Sequence, residues 1–369
     1  TTRLQSLSAT AIDSAAGIDY LTHKLQRARS TAKLVDNDFQ SHILWSVNDD
    51  RTSVDFREVQ SMLAAYRDAA DAASRLRRIG SLPIKVANEV LAAELSYRLI
   101  LDPDWGDKKQ IETFMNDFSP TLQTASWVGI LANAVDSGDV PAAIGVLRLI
   151  GSLEDTSQRY DLLLSAAPNP SPLVVAAISA EPRIRYEAAS VIASIDAVRD
   201  YPGSSLVLKT LQEMASLNSL PTAILVETRA EIILAQETIL RQLGYSVMIA
   251  HSVAGAERAV AASSDLRLIV SKTNLADARP IELIDRVRRQ SVGEEVPIVF
   301  YGDVVTPINS DRWSAATRWM PDPPSSPQAF AELLDSLALR IRLPELTQLD
   351  RELYRQTGIS ALEQRRANR

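Results

Sequence analysis

The chain has 369 residues and no cysteine. That single absence excludes thiol nucleophiles, disulfide cross-links, zinc–thiolate sites and iron–sulfur clusters. Histidine is almost absent too: His23, His42 and His251 are isolated and lack the spacing of a metal site. Aromatic residues make up only 5%, while alanine, leucine and isoleucine are abundant, a balance that favours helix packing over an all-β core. For the five tryptophans, Trp45, Trp105, Trp127, Trp313 and Trp319, core packing is the expectation. No apolar run approaches the ~18 residues that a membrane span needs, so no span is expected. Positive excess is missing as well. A net charge of −7 argues against broad phosphate neutralisation, and no nucleic-acid partner is expected. Gly244 and Gly255 are lone glycines rather than parts of a phosphate loop, and no serine lies in a Gly-x-Ser-x-Gly elbow. The acidic stretch Asp102-Pro-Asp-Trp-Gly-Asp107 lacks the ligand series and terminal glutamate of a calcium loop, so it is expected to be a turn. These absences leave no cofactor and no metal to expect. The chain opens Thr1-Thr2-Arg3 without methionine, which leaves a removed leader compatible with the sequence; the compartment stays open, with the cytoplasm as the expectation.

What is present is helix over the first half and an alternation over the second. The length suggests two domains. From 7 to about 217 the pattern is helical almost throughout. Between 54 and 78, Val59, Met62, Leu63, Tyr66, Ala70, Ala73 and Leu76 recur at spacings of three and four, and Arg77, Arg78 and Gly80 close the segment as a helix end should. Further helices are predicted over 85–101, 108–114, 122–135, 142–153 and 158–166, punctuated by prolines and glycines. The clearest unit is 172–195. There Pro172-Leu-Val-Val-Ala-Ala-Ile-Ser-Ala is followed by the turn Glu181-Pro182 and by Arg183-Ile-Arg-Tyr-Glu-Ala-Ala-Ser-Val-Ile-Ala-Ser-Ile. This unit resembles a HEAT-type repeat, in which paired helices stack. Similar texture at Ser119-Pro-Thr-Leu-Gln-Thr-Ala-Ser-Trp127 and Val140-Pro-Ala-Ala-Ile-Gly-Val-Leu does not align into three clean copies, so an irregular helical bundle stays open beside the solenoid.

After Ser219 the period changes. Ala223-Ile-Leu-Val226, Gly244-Tyr-Ser-Val-Met-Ile-Ala250, Leu266-Arg-Leu-Ile-Val-Ser271 and Val296-Pro-Ile-Val-Phe-Tyr301 read as strands. Helices of about ten residues lie between them, at 231–243, 254–262 and 281–289, with a last one at 327–342. Strands that are apolar on both faces and alternate with helices imply a covered parallel sheet. In order and spacing, Ile224-Leu-Val, Leu243-Gly-Tyr-Ser-Val, Asp265-Leu-Arg-Leu-Ile-Val-Ser, Glu282-Leu-Ile-Asp-Arg-Val-Arg and Val296-Pro-Ile-Val-Phe resemble the receiver domains of response regulators over about a third of the chain. The resemblance implies a flavodoxin-like α/β fold with five parallel strands in the order 2-1-3-4-5.

The same resemblance places the family's phosphorylation pocket at the carboxyl ends of the strands, and here the sequence departs from it. The paired acids after strand one read Glu227 and Thr228. Lys272 stands where the acceptor aspartate would close strand three. Gly302 replaces the hydroxyl residue after strand four, and Asp322 the lysine before the late proline. An ammonium group cannot form an acyl phosphate, and it repels the magnesium that transfer requires. Lys272 is expected to pair with Glu227 and set the pocket permanently, with Asp303 and Asp322 as second partners, against the plainer alternative of a solvated lysine; loss of its amine is expected to destabilise the domain clearly. The expected organisation is therefore an all-α, HEAT-like domain over 1–218, a receiver-like α/β domain over 221–342 that folds alone, and a helix and tail over 343–369. The expected role is a non-catalytic interaction or scaffold module for a protein partner. The alternative is a small-ligand sensor or enzyme that uses the crevice at the strand ends.

Overall fold

The computed structural model describes residues 14–35, 41–47, 52–195, 200–294, 296–303, 317–337 and 345–367. Trp313, the start of the helical region at 7–13, and the end of the last predicted helix with Ile341 and Arg342 lie outside the described residues. Two compact units emerge: Thr1–Ser165 with Arg340–Pro344, and Ala166–Leu339 with Glu345–Arg369.

The first unit contains α1 (Ser14–Leu34), β1 (Ser41–Val47), β2 (Val54–Gln60), α2 (Ser61–Arg77), α3 (Ile84–Leu101), α4 (Lys108–Asp117), α5 (Ser119–Thr124), α6 (Trp127–Asp136), α7 (Val140–Ser152) and α8 (Thr156–Leu164). Alanine sets its packing: Ala69, Ala72, Ala73, Ala87 and Ala93 are buried among Leu25, Leu76, Leu82 and Val90, small enough for α1, α2 and α3 to approach closely. Helix starts follow from the sequence. Asp107 and Gln110 form a reciprocal capping box on α4. Asp139 caps α7, and its buried carboxylate also accepts from Ser96 Oγ at 2.9 Å and Arg29 Nη2 at 2.8 Å. One carboxylate thus ties α1, α3 and α7 together, in a setting where breaking a buried charge pair from one side is costly. The acidic stretch at 102–107 is the turn expected of it: Asp102 accepts from Asp104 N and Gln110 Nε2, and Asp107 serves the cap.

The all-α reading of this unit is wrong. Residues 54–60 do not extend α2 but pair with β1 as an antiparallel hairpin, with Trp45 opposite Phe56 and Val47 opposite Val54. The reason is local. Val54-Asp-Phe-Arg57 alternates with a period of two and carries a β-branched and an aromatic residue, whereas the three-and-four spacing begins only near Val59 and Met62. Trp45 is 64% exposed, so core packing fails for it, while Trp105 is buried in an edge-on contact with Phe114.

The second unit holds α9 (Pro172–Ala176), α10 (Pro182–Ser194), α11 (Ser204–Ala215), β3 (Thr222–Val226), α12 (Ala230–Gln242), β4 (Ser246–Ala250), α13 (Val253–Ala262), β5 (Leu266–Lys272), α14 (Pro280–Arg288), β6 (Ile298–Tyr301), β7 (Thr317–Met320), α15 (Pro327–Leu337) and α16 (Gln348–Ala367). All neighbouring strands of its sheet are parallel, in the spatial order β4-β3-β5-β6-β7. Counted from β3, that is 2-1-3-4-5. Two apolar layers cover it. Ile224, Val226, Ile269, Ile298 and Phe300 face α13 and α14 residues such as Val260 and Leu283. Ala223, Leu225, Leu268, Val270, Val299 and Tyr301 face Leu240 and Phe330. Burial of every residue in β3 and β6 explains why these strands read as unbroken apolar runs.

The unit is larger than 221–342. α9, α10, α11 and α16 belong to it, and α10 and α16 are bonded to the segment that leads into β5. Tyr186 Oη and Arg185 Nη2 donate to Ser264 O, and Arg351 grips the buried Asp265 through Nη2 at 2.6 Å and Nε at 3.0 Å. The compact unit therefore begins at Ala166 rather than 221. The helix expected over 343–369 is α16, which runs twenty residues and packs on α11 at Gly358, where a Cβ would stand 2.7 Å from Ala215 N and 2.8 Å from Leu211 O. In the 172–195 unit the first helix spans only Pro172–Ala176, and Arg185 fills the following turn by donating to Ser179 O and Ala180 O.

Candidate functional site

Parallel register brings the predicted pocket residues to one end of the sheet. Val226 lies opposite Ser271, so Glu227 and Lys272, one residue further along each strand, are neighbours; Lys272 in turn lies opposite Tyr301. Glu227 is fully buried. Its carboxylate accepts from Thr228 N at 2.7 Å, Arg229 N at 3.0 Å, Tyr301 Oη at 2.6 Å and the Arg229 guanidinium, with Nη2 at 2.7 Å. Lys272 Nζ stands 3.5 Å from Glu227 Oε1 and donates to Thr228 Oγ1. The Glu227 carbonyl meets His251 Nδ1 at 2.8 Å; since a carbonyl only accepts, that nitrogen carries the proton.

The electrostatics follow from this donor set. Burial works to raise the Glu227 pKa, but hydrogen bonds from the Arg229 side chain, Tyr301 and the backbone of Arg229 and Thr228 outweigh it and hold the carboxyl at about 2. Tyr301 moves the other way: burial, and then the bond to Glu227, push its phenol upward, so it stays a donor.

The remaining positions divide. Gly302 adopts φ +108°, where a side chain is strained, and a Cβ there would stand 2.9 Å from Thr273 Oγ1. Its N–H donates to Met320 O and Pro321 O, and its carbonyl accepts from Trp319 Nε1 at 2.8 Å. Gly302 therefore ties the ends of β6 and β7 and offers no hydroxyl. Asp322 is exposed and takes no part in the hydrogen bonds around Glu227. Asp303 is exposed and contributes its carbonyl, to Thr273 Oγ1, rather than its carboxylate. The second partner of Lys272 is thus the Thr228 hydroxyl, not either aspartate.

Two residues of the cluster were missed in the sequence, Arg229 and Tyr301. Arg229 makes the principal charge-assisted contacts to Glu227, a role assigned to Lys272 from sequence. The signal for Tyr301 was a phenol closing an otherwise apolar buried strand, which must find a polar partner. Arg229 gave none, because a charged residue in a loop reads as solvated, and its side chain is indeed 58% exposed. Among the described residues no group of three or more His, Cys, Asp or Glu is placed to hold a metal ion.

No family model and no curated protein sequence matches this chain. Solved structures do. The chemotaxis response regulator CheY4 of Vibrio cholerae is similar over 32% of this chain and 98% of its own, with 22% identity and a TM-score of 0.28. A response regulator receiver protein from Sinorhizobium medicae matches over 33% and 97%, with 18% identity and a TM-score of 0.27. The signal receiver domain of an HD domain-containing protein from Pseudomonas fluorescens matches over 34% and 92%, with 17% identity and a TM-score of 0.28. The likeness concerns the fold, which rests independently on the five parallel strands and their order.

Proposed function

We propose that the receiver-like part of the second unit is a pseudo-receiver: it takes no phosphoryl group, needs no divalent cation, and serves a non-catalytic, regulatory or scaffolding role through binding of a protein partner. The observation that carries this reading is the Lys272 ammonium at the end of the central strand, 3.5 Å from the buried Glu227 carboxylate. An ammonium beside Glu227 disfavours a divalent cation there, and among the described residues it is Lys272, not a carboxylate, that closes the central strand. The donors around Glu227 leave its oxygens engaged, and this filled cluster favours a fixed pocket over the ligand-binding crevice of the alternative reading. Receiver-type domains communicate through the faces around the strand ends; without the chemistry, recognition is the use that remains. The helices of HEAT-like texture at 172–195 supply further surface of the kind that binds proteins.

The test is phosphorylation. Incubation of the full chain with acetyl phosphate and Mg²⁺, followed by intact-mass measurement at neutral pH, is expected to show no added phosphoryl group. A stoichiometric adduct mapped to Ser271, Thr273 or Asp277 would refute the reading.

A further inference from the structure

The hairpin of β1 and β2 carries an apolar face that the described residues of its unit leave exposed. In an antiparallel pair, directly opposed side chains share a face. The register therefore groups Ile43, Trp45 and Val47 with Glu58, Phe56 and Val54. The five apolar members are exposed, from 57% for Val54 to 69% for Phe56. Trp45 and Phe56 form the centre, with ring centroids 5.6 Å apart and planes at 52°. The single charge on this face, Glu58, already accepts from Ser41 Oγ across the pair. On the opposite face Val59 is buried and Leu44 half-buried, and the exposed members, His42, Asp55 and Arg57, are polar.

We infer that this face is the contact through which two copies of the chain associate, hairpin against hairpin about a two-fold axis. Three observations select a second copy as the occupant. The first is size. Five large apolar side chains at this exposure present roughly 500 Å² per copy, so two copies would bury roughly 1,000 Å² of apolar surface, the level a specific interface must reach. A lone two-stranded hairpin is marginal in water, and covering its apolar face gives it the second layer it lacks. The second is charge. The face offers no cation and no free carboxylate, so it matches neither a charged peptide nor an anionic membrane surface; it matches a surface of its own composition. The third is closure. An isologous contact with the hairpins antiparallel, its two-fold running across the Trp45–Phe56 pair, sets Trp45 against Trp45 and Phe56 against Phe56 of the other copy and holds the two Glu58 carboxylates at opposite ends, where they do not repel. Aromatic residues at the centre of such a patch are where binding energy concentrates.

Sedimentation of the full chain over a concentration series reads this directly. The parent is expected to show a monomer–dimer equilibrium, and the double variant Trp45→Ser with Phe56→Ser to dissociate at least about 100-fold more readily, because two central anchors are lost. Both residues are exposed, so the far-ultraviolet circular dichroism should not change. The absence of native cysteine permits a second readout that does not depend on the weakened variant. Phe56→Cys, beside the two-fold, should trap a disulfide-linked dimer on mild oxidation, and Arg57→Cys, on the opposite face, should not. A parent that stays monomeric at about 100 μM, a dimer indifferent to the double variant, or equal cross-linking from both cysteine positions would overturn the inference.

Discussion

Arg351→Met is expected to lower the stability of the second unit by about 3 kcal/mol, among the largest effects of any single substitution in this chain. Arg351 and Asp265 are both almost fully buried and joined by two charge-assisted bonds. Removing the guanidinium leaves a carboxylate that has been taken out of water without its main partner. Arg267 Nε still reaches Asp265 at 2.7 Å, which keeps the loss near the lower end for a buried pair. The substitution also frees Leu346 O, which Arg351 Nη1 holds, and loosens the docking of α16. Adding Asp265→Asn should recover part of the loss, since the uncompensated charge disappears. Chemical denaturation that follows the unit's own transition measures both. For the same reason a fragment of 221–342 is expected to fold poorly, whereas 166–369 should fold. A parent-like midpoint for Arg351→Met would show that α16 does not support the sheet.

How much of this was legible in the sequence depended on burial. Strands β3, β5 and β6 read clearly because both faces are covered, so Ala223-Ile-Leu-Val and Ile298-Val-Phe-Tyr carry no polar interruption. The period of their covering helices was equally plain. The hairpin was hidden because its apolar face is exposed and the alanine-rich helix that follows shares its register at Val59. The docking of α16 was hidden because it rests on Arg351, Tyr354 and a glycine contact instead of an apolar stripe; a charged residue gives no sign in sequence that it is buried against a carboxylate 86 positions away. In the pocket, the proximity of Glu227 and Lys272 followed from strand order alone. The dominance of Arg229 did not, since it depends on how one loop residue folds back on its neighbour.

That dominance changes the expected consequences of mutation. Glu227→Leu is expected to cost about 3 kcal/mol, because the Tyr301 phenol and two backbone N–H groups lose their common acceptor inside the fold. Tyr301→Phe added to it should restore part of the loss by removing a stranded hydroxyl. Lys272→Met, by contrast, should cost no more than about 1 kcal/mol, since Arg229 and Tyr301 continue to hold the carboxylate. The acid limb carries the same signature. Glu227 has its pKa lowered from the ordinary 4.5 to about 2 in the folded protein. Its contribution is thus complete above about pH 4.5 and is lost as the pH falls toward 2. Glu227→Gln should flatten that limb while leaving the slope above pH 5 unchanged. Equal acid sensitivity in parent and variant would assign the limb to other carboxylates.

The central claim is that this pocket is complete without a metal ion, and calorimetric titration of Mg²⁺ into the full chain tests it most directly. The expected result is no saturable heat at millimolar Mg²⁺ for the parent. The double variant Lys272→Asp with Thr228→Asp, which returns carboxylates to the strand ends beside Glu227, is expected to gain a saturable, millimolar site. Saturable Mg²⁺ binding by the parent, abolished by Glu227→Gln, would contradict the claim: the pocket would then be a working cation site, and Lys272 would not be its substitute.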